Sequence, residues 1–178
     1  MTIPRIEAIG FCAHYSETGD WAFAYALKLA QEHGLQLNVF HFLSDPYQPD
    51  DETLRRLPAA ELAERAFVME REMRLYYDRL AGDFLDIGFR LCHDNSWREL
   101  HRCLAGREFQ LLVLARPHAG AGFAGKPMDE FANSFVCPVV LVGPDRPDRF
   151  SLNSSAALLA DRIDIPTDTW RRIGIGAV

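Results

Sequence analysis

Short apolar runs that alternate with stretches of helical periodicity are the feature that most constrains the fold of this chain. Five runs have the length and composition of β-strands, and they cover residues 6–12, 37–43, 87–92, 111–115 and 137–142. Helix-like stretches separate them at residues 21–33, 62–80, 96–106 and 128–135. This alternation predicts an α/β domain with a parallel, doubly wound sheet of five strands, because parallel neighbours need a crossover connection.

The longest helix-like stretch carries one apolar stripe. Its members recur at steps of three and four residues: Leu62, Ala66, Met69, Met73, Tyr76 and Leu80. Such spacing places side chains on one face of a helix. Glu70 and Arg74 stand four residues apart on the polar side, where opposite charges support a helix. We therefore expect a helix that packs its apolar face on the sheet.

Several residues are suited to begin or end the predicted helices. Thr18 or Asp20 can cap the first helix, and Gly34 is a natural stop after it. Ser96 and Glu99 form a capping-box pattern at the start of the third helix. These residues predict helix boundaries near positions 20, 34 and 96.

Length and composition favour one domain with an extension. The chain has 178 residues, of which 48% are hydrophobic and 25% are charged, as in ordinary globular proteins. A domain of this size buries roughly 70% of the surface of its unfolded chain, which is enough for a real core. No strong periodicity follows residue 145. We therefore divide the chain into a domain over residues 1–145 and a C-terminal extension, or arm, over residues 146–178.

Charge and cysteine usage exclude several classes of function. The net charge of −6 opposes general nucleic-acid binding, since phosphates would be repelled. No apolar run approaches the ~20 residues needed to cross a bilayer, and the N-terminus lacks the pattern of a secretory signal. We therefore expect a cytoplasmic protein without membrane contact. Cys12, Cys92, Cys103 and Cys137 have no CxxC spacing, so neither a disulfide framework nor a metal site is expected.

A glycine-rich stretch, HAGAGFAGKP, follows the fourth apolar run and suggests contact with a phosphate. Gly120, Gly122 and Gly125 fit the dinucleotide pattern G-x-G-x-x-G. Asp145 lies 20 residues past Gly125, where an acid that binds ribose would stand. Against this interpretation, the pattern does not open directly from its strand, since four residues intervene.

The same stretch allows three further interpretations. From Gly120 to Lys126 it approaches a Walker loop, but Pro127 replaces the residue whose hydroxyl would bind magnesium. It also fits a simpler anion site, in which Lys126 and backbone amides contact a phosphate. The remaining interpretation is a flexible turn on the surface.

Taken in their order along the chain, four segments resemble the universal stress protein family. AIGFCAHYSETGDWAFAYALKLA resembles the opening strand, turn and alanine-rich first helix, and NVFHFLSDP resembles the second strand with its proline loop. QLLVLARPHAG resembles the fourth strand and its turn, and GKPMDEFANSFVCPVVLVG resembles the closing helix and strand. The resemblance spans residues 4–143.

The resemblance implies a five-stranded sheet of order 3-2-1-4-5, the Rossmann-like arrangement of adenine nucleotide alpha hydrolases. In such a sheet a crevice lies beyond the carboxyl ends of strands 1 and 4, where the winding direction reverses. ATP or another adenine nucleotide is the implied ligand. The residues implied to contact it are Ala13, His14, Phe42, Arg116, His118, Gly120, Gly122, Gly125 and Lys126.

This implied site departs from the family pattern. His14 stands where nucleotide-binding members have an acidic residue, and Lys126 follows the last glycine where they have a serine or threonine. The longer segment between the glycines of the family loop is also missing. The sequence therefore predicts a degenerate nucleotide site, in which His14 and His118 could contact an anion when protonated.

The resemblance implies a stress-response protein that binds or regulates rather than a fast enzyme. The alternatives are a nucleotide-handling enzyme on the same fold, with slow ATP hydrolysis or adenylyl chemistry, and an NAD-type dinucleotide-binding domain. The fifth strand, with Val139, Val140, Leu141 and Val142, would be an apolar sheet edge, and such edges are usually covered. Because family members commonly pair there, we expect a homodimer through this strand. The arm from Phe150 onward is a candidate tether for a protein partner.

Overall fold

The computed structural model describes residues 5–48 and 57–174. The strands of its main sheet are β1 (Ala8–Cys12), β2 (Gln36–Phe42), β3 (Ile87–Cys92), β4 (Leu111–Ala115), β7 (Val139–Val142), β8 (Phe150–Leu152) and β9 (Trp170–Arg172). A small hairpin consists of β5 (Gly122–Phe123) and β6 (Lys126–Pro127). The helices are α1 (Glu17–His33), α2 (Ala59–Ala81), α3 (Ser96–Ala105), α4 (Met128–Ser134) and α5 (Ser154–Ala157), with a 3-10 turn at Thr167–Thr169.

The order across the main sheet is β3-β2-β1-β4-β7-β8-β9. The five strands from β3 to β7 are parallel to their neighbours, whereas β8 runs antiparallel to β7 and parallel to β9. The predicted doubly wound α/β fold with order 3-2-1-4-5 is therefore confirmed for these five strands. The expected total of five is too low, because the C-terminal segment adds two strands to the same sheet.

Helices cover both faces of the sheet and create two apolar cores. Phe11 of β1 packs edge-on against Phe23 of α1 and Tyr77 of α2, with ring centroids 5.4 and 5.5 Å apart. On the other face, Phe40 and Phe109 belong to a second cluster with α3, α4 and the hairpin. Strands β1 and β4 are buried at every position, as expected for parallel strands covered on both sides.

The first helix begins earlier than predicted. The Ser16 hydroxyl accepts a hydrogen bond from the Gly19 N–H at 2.9 Å and caps α1. The prediction that Thr18 or Asp20 is the cap is therefore wrong. Gly34, in the left-handed conformation with φ of 64°, ends the helix as predicted.

The start of α3 also differs by one residue from the prediction. The Asn95 side chain accepts hydrogen bonds from the Trp97 and Arg98 N–H groups at 3.0 and 3.3 Å. Asn95 is therefore the cap, and the capping box predicted from Ser96 and Glu99 does not form. Both types of residue cap helices well, so the sequence alone could not choose between neighbours.

Strand β7 is not a sheet edge, because β8 of the same chain pairs along it, with Val140 opposite Leu152 and Val142 opposite Phe150. Asn153 fixes the arrangement. Its side chain accepts from the Val139 N–H at 3.0 Å and donates to the Cys137 carbonyl at 2.9 Å. The predicted free edge at Val139–Val142 is therefore absent, since the arm supplies the covering strand. A homodimer stays a prediction, but this strand offers it no open backbone.

All four cysteines, Cys12, Cys92, Cys103 and Cys137, are buried and free. Burial raises the pKa of the Cys12 thiol well above its usual value, which makes it a core residue without thiolate character. Within residues 5–48 and 57–174, no helix is both long and apolar enough to cross a membrane.

Candidate functional site

The carboxyl ends of β1 and β4 lie side by side, as the crevice requires. Phe11 of β1 is opposite Val113 of β4 in the parallel ladder. The Ala13 N–H continues the ladder beyond β1 by donating to the Phe40 carbonyl at 2.8 Å. The Arg116 N–H does the same beyond β4, toward the Val142 carbonyl at 2.8 Å. The segments that follow the two strands therefore face one another across a shared crevice.

A tyrosine from the loop after β2 fills this crevice. The Tyr47 ring centroid lies 4.3 Å from that of His14 and 5.1 Å from that of Phe123. Its hydroxyl donates a hydrogen bond to the carbonyl of Ala115, the last residue of β4, at 2.9 Å. Burial raises the pKa of the Tyr47 phenol well above its usual value, so the hydroxyl stays a donor. The chain thus occupies its own crevice.

Local hydrogen bonds hold Tyr47 in this position. The Asp45 carboxylate accepts from the Tyr47 N–H at 2.9 Å, which forms an Asx turn. The Pro46 carbonyl accepts from the Ala124 N–H of the hairpin at 2.8 Å. The described part of this loop, residues 43–48, is therefore tied both to itself and to the hairpin opposite.

His14 lies beside the Tyr47 ring and is held on two sides. Its Nδ1 lies 2.6 Å from the Ser16 hydroxyl, and its backbone N–H donates to the Tyr77 hydroxyl at 3.1 Å. Burial lowers the pKa of His14; the charge of Asp45 opposes the shift, and that of His118 adds to it. His14 is therefore a neutral ring at pH 7. His118 is exposed in the segment after β4, and its place in the crevice stays a prediction.

The glycine-rich stretch folds as a tight hairpin rather than as an open loop. Phe123 pairs with Lys126, and the turn between them has positive φ at Ala124 (54°) and Gly125 (80°). Two left-handed residues in succession are typical of a type I′ hairpin turn. The Ala121 N–H donates to the His118 carbonyl at 3.1 Å. This amide and that of Ala124 therefore have partners inside the protein instead of facing a phosphate.

The two predicted cationic contacts also have partners. The Lys126 ammonium lies 4.3 Å from the ring centroid of Trp97 on α3, within cation–π distance. Arg116 is buried and forms an ion pair with Asp129, and Arg171 of β9 reaches the same carboxylate at 3.4 Å. Burial raises the pKa of Asp129, but the two guanidinium groups outweigh it and leave this pKa below its usual value.

The remaining predicted contacts differ in how accessible they are. Ala13 and Phe42 are buried in the two cores, so neither side chain is open to a ligand. Gly120 and Gly125 are exposed, and Gly122 is half-buried at the start of the hairpin. Sequence reasoning missed Tyr47, and the signal that could have found it is an aromatic residue in an otherwise polar proline loop.

Asp145, the ribose-binding acid of the dinucleotide hypothesis, lies in the turn between β7 and β8. Its carboxylate forms an ion pair with Arg149 at 3.0 Å. The glycine pattern of that hypothesis folds as the hairpin instead of the strand-turn-helix that holds a pyrophosphate. The NAD-type alternative therefore gains no support from these residues.

One group of metal-ligating side chains lies away from the crevice. Glu32, His33 and Asp164 bring ligand atoms within 4.8 Å of one another. All three are exposed, and the His33 Nε2 already lies 2.8 Å from the Asp164 carboxylate. The pair joins the end of α1 to the C-terminal segment, which is a sufficient structural role.

The sequence matches no protein-family model and no curated protein sequence. Solved structures do match. The universal stress protein UspA from Lactobacillus plantarum superposes with a TM-score of 0.58 at 18% identity, covering 79% of this chain and 99% of that one. The chain has the fold of the universal stress proteins.

Two further structures agree with this assignment of the fold. A universal stress protein in complex with cAMP has a TM-score of 0.52 at 17% identity, over 78% of this chain and 97% of that one. A member of the universal stress protein family from Burkholderia pseudomallei has a TM-score of 0.51 at 16% identity, over 78% and 96%. The resemblance noted in the sequence is therefore confirmed at the level of the fold.

Proposed function

We propose that this protein is a universal stress protein-like binding and regulatory protein, and that adenine nucleotides enter its crevice in competition with Tyr47. The shared fold supports the first part. The entry of nucleotides is supported by the position of the crevice. It lies where the strand order reverses, which is where open α/β sheets bind ligands. One structural neighbour, at 17% identity, is a universal stress protein in complex with cAMP.

The observation that carries the proposal is the Tyr47 ring inside the crevice. A planar aromatic group already fits between His14 and Phe123 and uses the Ala115 carbonyl as an acceptor. If Tyr47 moves out, the same surfaces and the same acceptor become available to a purine, whose exocyclic amine is a donor. The Lys126 ammonium, which lies over the Trp97 ring, supplies positive charge for a phosphate when it leaves that ring.

We propose binding rather than rapid turnover because two polar side chains near the crevice are already engaged in structural contacts. The Ser16 hydroxyl near His14 also caps α1, and Arg116 is paired with Asp129. A catalytic nucleophile or base would have to give up such a bond before it could act.

A thermal-shift screen tests the proposal. The wild type, Tyr47→Phe and Tyr47→Ala are each melted with ATP, AMP, cAMP, NAD or buffer alone. We expect the rise in Tm with an adenine nucleotide to be largest for Tyr47→Ala, because this variant has no ring to displace. Tyr25→Phe is the matched control, since it removes a tyrosine-to-carbonyl hydrogen bond (to Ile163, 2.8 Å) away from the crevice. Its response to nucleotides should equal that of the wild type.

The outcomes separate the alternatives. No shift in either wild type or Tyr47→Ala contradicts the nucleotide proposal and favours a module that binds only proteins. A shift with ATP that disappears in Lys126→Ala would show that the lysine leaves Trp97 to contact a phosphate. ATP turnover in the same samples would favour the nucleotide-handling enzyme, and a shift with NAD alone would favour the dinucleotide-binding domain.

A further inference from the structure

A second stripe of residues runs along α2 beside the face that packs on the core, and it shares Tyr76 with that face. It consists of Val68, Glu72, Leu75, Tyr76 and Arg79, whose spacing places them on one side of a helix. Leu75 and Val68 are 64% and 45% exposed, although both are apolar. We call these five residues the α2 stripe. The two exposed apolar side chains leave a surface on this flank that a partner can cover.

A hollow of about 380 Å³ adjoins the α2 stripe, and Tyr15 forms its far wall. The Tyr15 ring lies edge-on to Tyr76, with centroids 5.1 Å apart, and parallel to Tyr77 at 5.9 Å. The Tyr76 hydroxyl donates to the Asp20 carboxylate at 2.5 Å. These contacts hold the walls of the hollow in place before any partner binds, which lowers the entropic cost of association.

The charges of the α2 stripe are arranged symmetrically about its centre. Glu72 precedes Leu75 by three residues, and Arg79 follows Tyr76 by three. Glu70 and Arg74 pair with each other on another side of α2, whereas no ion pair of the described residues involves Glu72 or Arg79. One acid and one base therefore flank an apolar centre, and both line the hollow without an ionic partner in the described chain. The Arg79 guanidinium lies over the Tyr76 ring, 5.8 Å from its centroid.

We propose that the α2 stripe is the surface through which two copies of this chain pair, with their α2 helices antiparallel about a two-fold axis between Leu75 and Tyr76. A two-fold axis at that point brings Glu72 opposite the partner's Arg79 and Arg79 opposite the partner's Glu72. Leu75 of each copy then enters the hollow between Tyr15 and Tyr76 of the other. The interface is isologous and buries the apolar residues that are now exposed.

Charge complementarity selects a second copy over other occupants. The α2 stripe contains one negative and one positive side chain, so it is complementary to its own antiparallel image. A uniformly basic or acidic peptide would leave either Arg79 or Glu72 facing a like charge, which is unfavourable in an interface. Because β8 already pairs with β7, two copies cannot associate by strand pairing at β7.

Sedimentation velocity of the full chain and four charge variants tests the proposal. We expect a dimer for the wild type. Glu72→Arg or Arg79→Glu alone places like charges opposite each other twice and should weaken the dimer at least about tenfold. The double variant Glu72→Arg/Arg79→Glu restores both pairs and should restore the dimer. Asp78→Arg is the matched control, because it makes the same charge change at an exposed position outside the α2 stripe.

Cysteine crosslinking gives a second, geometric test. All four native cysteines are buried, so Leu75→Cys would introduce a thiol with unique access to the interface. Mild oxidation should join two copies of Leu75→Cys and should not join copies of Leu85→Cys, which places a thiol at a more exposed position beyond α2. Melting curves verify that each variant folds.

Three outcomes would overturn the proposal. The first is a wild type that remains a monomer at concentrations of hundreds of micromolar. The second is a dimer that Glu72→Arg leaves intact, which would assign pairing to another surface. The third is a double variant that stays as weak as the single ones, which would remove the proposed pairing of Glu72 with Arg79. None of these readouts depends on whether nucleotides bind.

Discussion

Two loops at the carboxyl end of the sheet differ from what their compositions suggest. The glycine-rich stretch has the pattern of a phosphate loop, yet it folds as a hairpin anchored by the fully buried Phe123. The loop after β2 has the composition of a plain turn, yet its Tyr47 fills the crevice. The difference teaches that glycine content alone does not indicate which loop fills the crevice, since the Tyr47 ring occupies it and the glycines do not.

The two loops also differ in how firmly they are held. Phe123 is enclosed by the core and contacts Phe131 of α4, with ring centroids 4.6 Å apart. Tyr47 is held by one side-chain hydrogen bond, by ring contacts and by the bonds of a short surface turn. The hairpin should therefore be a fixed wall of the crevice, and the loop after β2 its movable occupant.

Truncation of the hairpin anchor should have the largest effect. We expect Phe123→Ala to lower the free energy of unfolding by about 3–5 kcal/mol, because it leaves a cavity in a closed core. Urea denaturation measures this change. Phe67→Ala is the control, since Phe67 is 68% exposed on α2 and should change stability by less than about 0.5 kcal/mol. Equal losses for the two variants would contradict the view of the hairpin as a fixed wall.

Truncation of the occupant should have a smaller effect. We expect Tyr47→Ala to lower the free energy of unfolding by about 2 kcal/mol and Tyr47→Phe by about 1 kcal/mol, the latter from loss of the bond to Ala115. The same denaturation experiment measures both. A loss for Tyr47→Ala as large as that for Phe123→Ala would mean that the ring is part of the core and cannot act as a removable occupant.

The turn of the hairpin gives a matched pair of glycine substitutions. Gly125→Ala should cost about 1 kcal/mol, because φ at this position is 80° and an added methyl group meets no neighbour, so only backbone strain remains. Gly120→Ala should be nearly neutral, since that glycine lacks a positive φ and has only the His118 ring 3.8 Å from the added atom. Thermal melts compare the two. A neutral Gly125→Ala would argue against the type I′ turn.

The smallest effect concerns pH. Burial lowers the pKa of His14 below its ordinary 6.5, so the unfolded chain takes up a proton first as the pH falls. Well above pH 6.5 the ring is neutral in both states and contributes no pH dependence; as the pH falls through 6.5, stability should decrease. His14→Gln should reduce this slope in denaturation experiments between pH 7 and 5.

Tyr47→Ala should also change the pH dependence of stability, because the Tyr47 ring covers His14. Without the tyrosine ring, water reaches His14 and its pKa returns toward the ordinary value, so this variant should also reduce the slope. His41, whose pKa burial also lowers, keeps part of the slope in both variants. An unchanged slope in both would mean that His14 does not contribute to it.

The sequence predicted the parts of the fold that depend on local pattern. Strands β3 and β4 begin and end where predicted. β4 is a continuous apolar run that is buried at every position, as expected for a strand covered on both faces, whereas β3 lies at the edge of the sheet and is mostly half-buried. The end of α1 at Gly34 was equally predictable, since glycine adopts the left-handed conformation without steric cost.

The parts that were missed depend on contacts between residues distant in the chain. Strands β8 and β9 have three residues each, too few to show a period, and β8 is a strand because Val140 and its neighbours lie beside it. The site was missed for the same reason: Tyr47 is defined by a bond to Ala115, 68 residues away. A single sequence gives no measure of such pairings.

The position of Lys126 over Trp97 should make the fluorescence of this tryptophan sensitive to the conformation of the hairpin. The Lys126 ammonium is 4.3 Å from the indole, and a charge at that distance changes the energy of the excited state of the ring. The other two tryptophans of the sequence, Trp21 and Trp170, belong to α1 and β9 and serve as an internal reference. Any displacement of the lysine, whether by a ligand or by heat, should therefore appear as a shift in intrinsic fluorescence without an added dye.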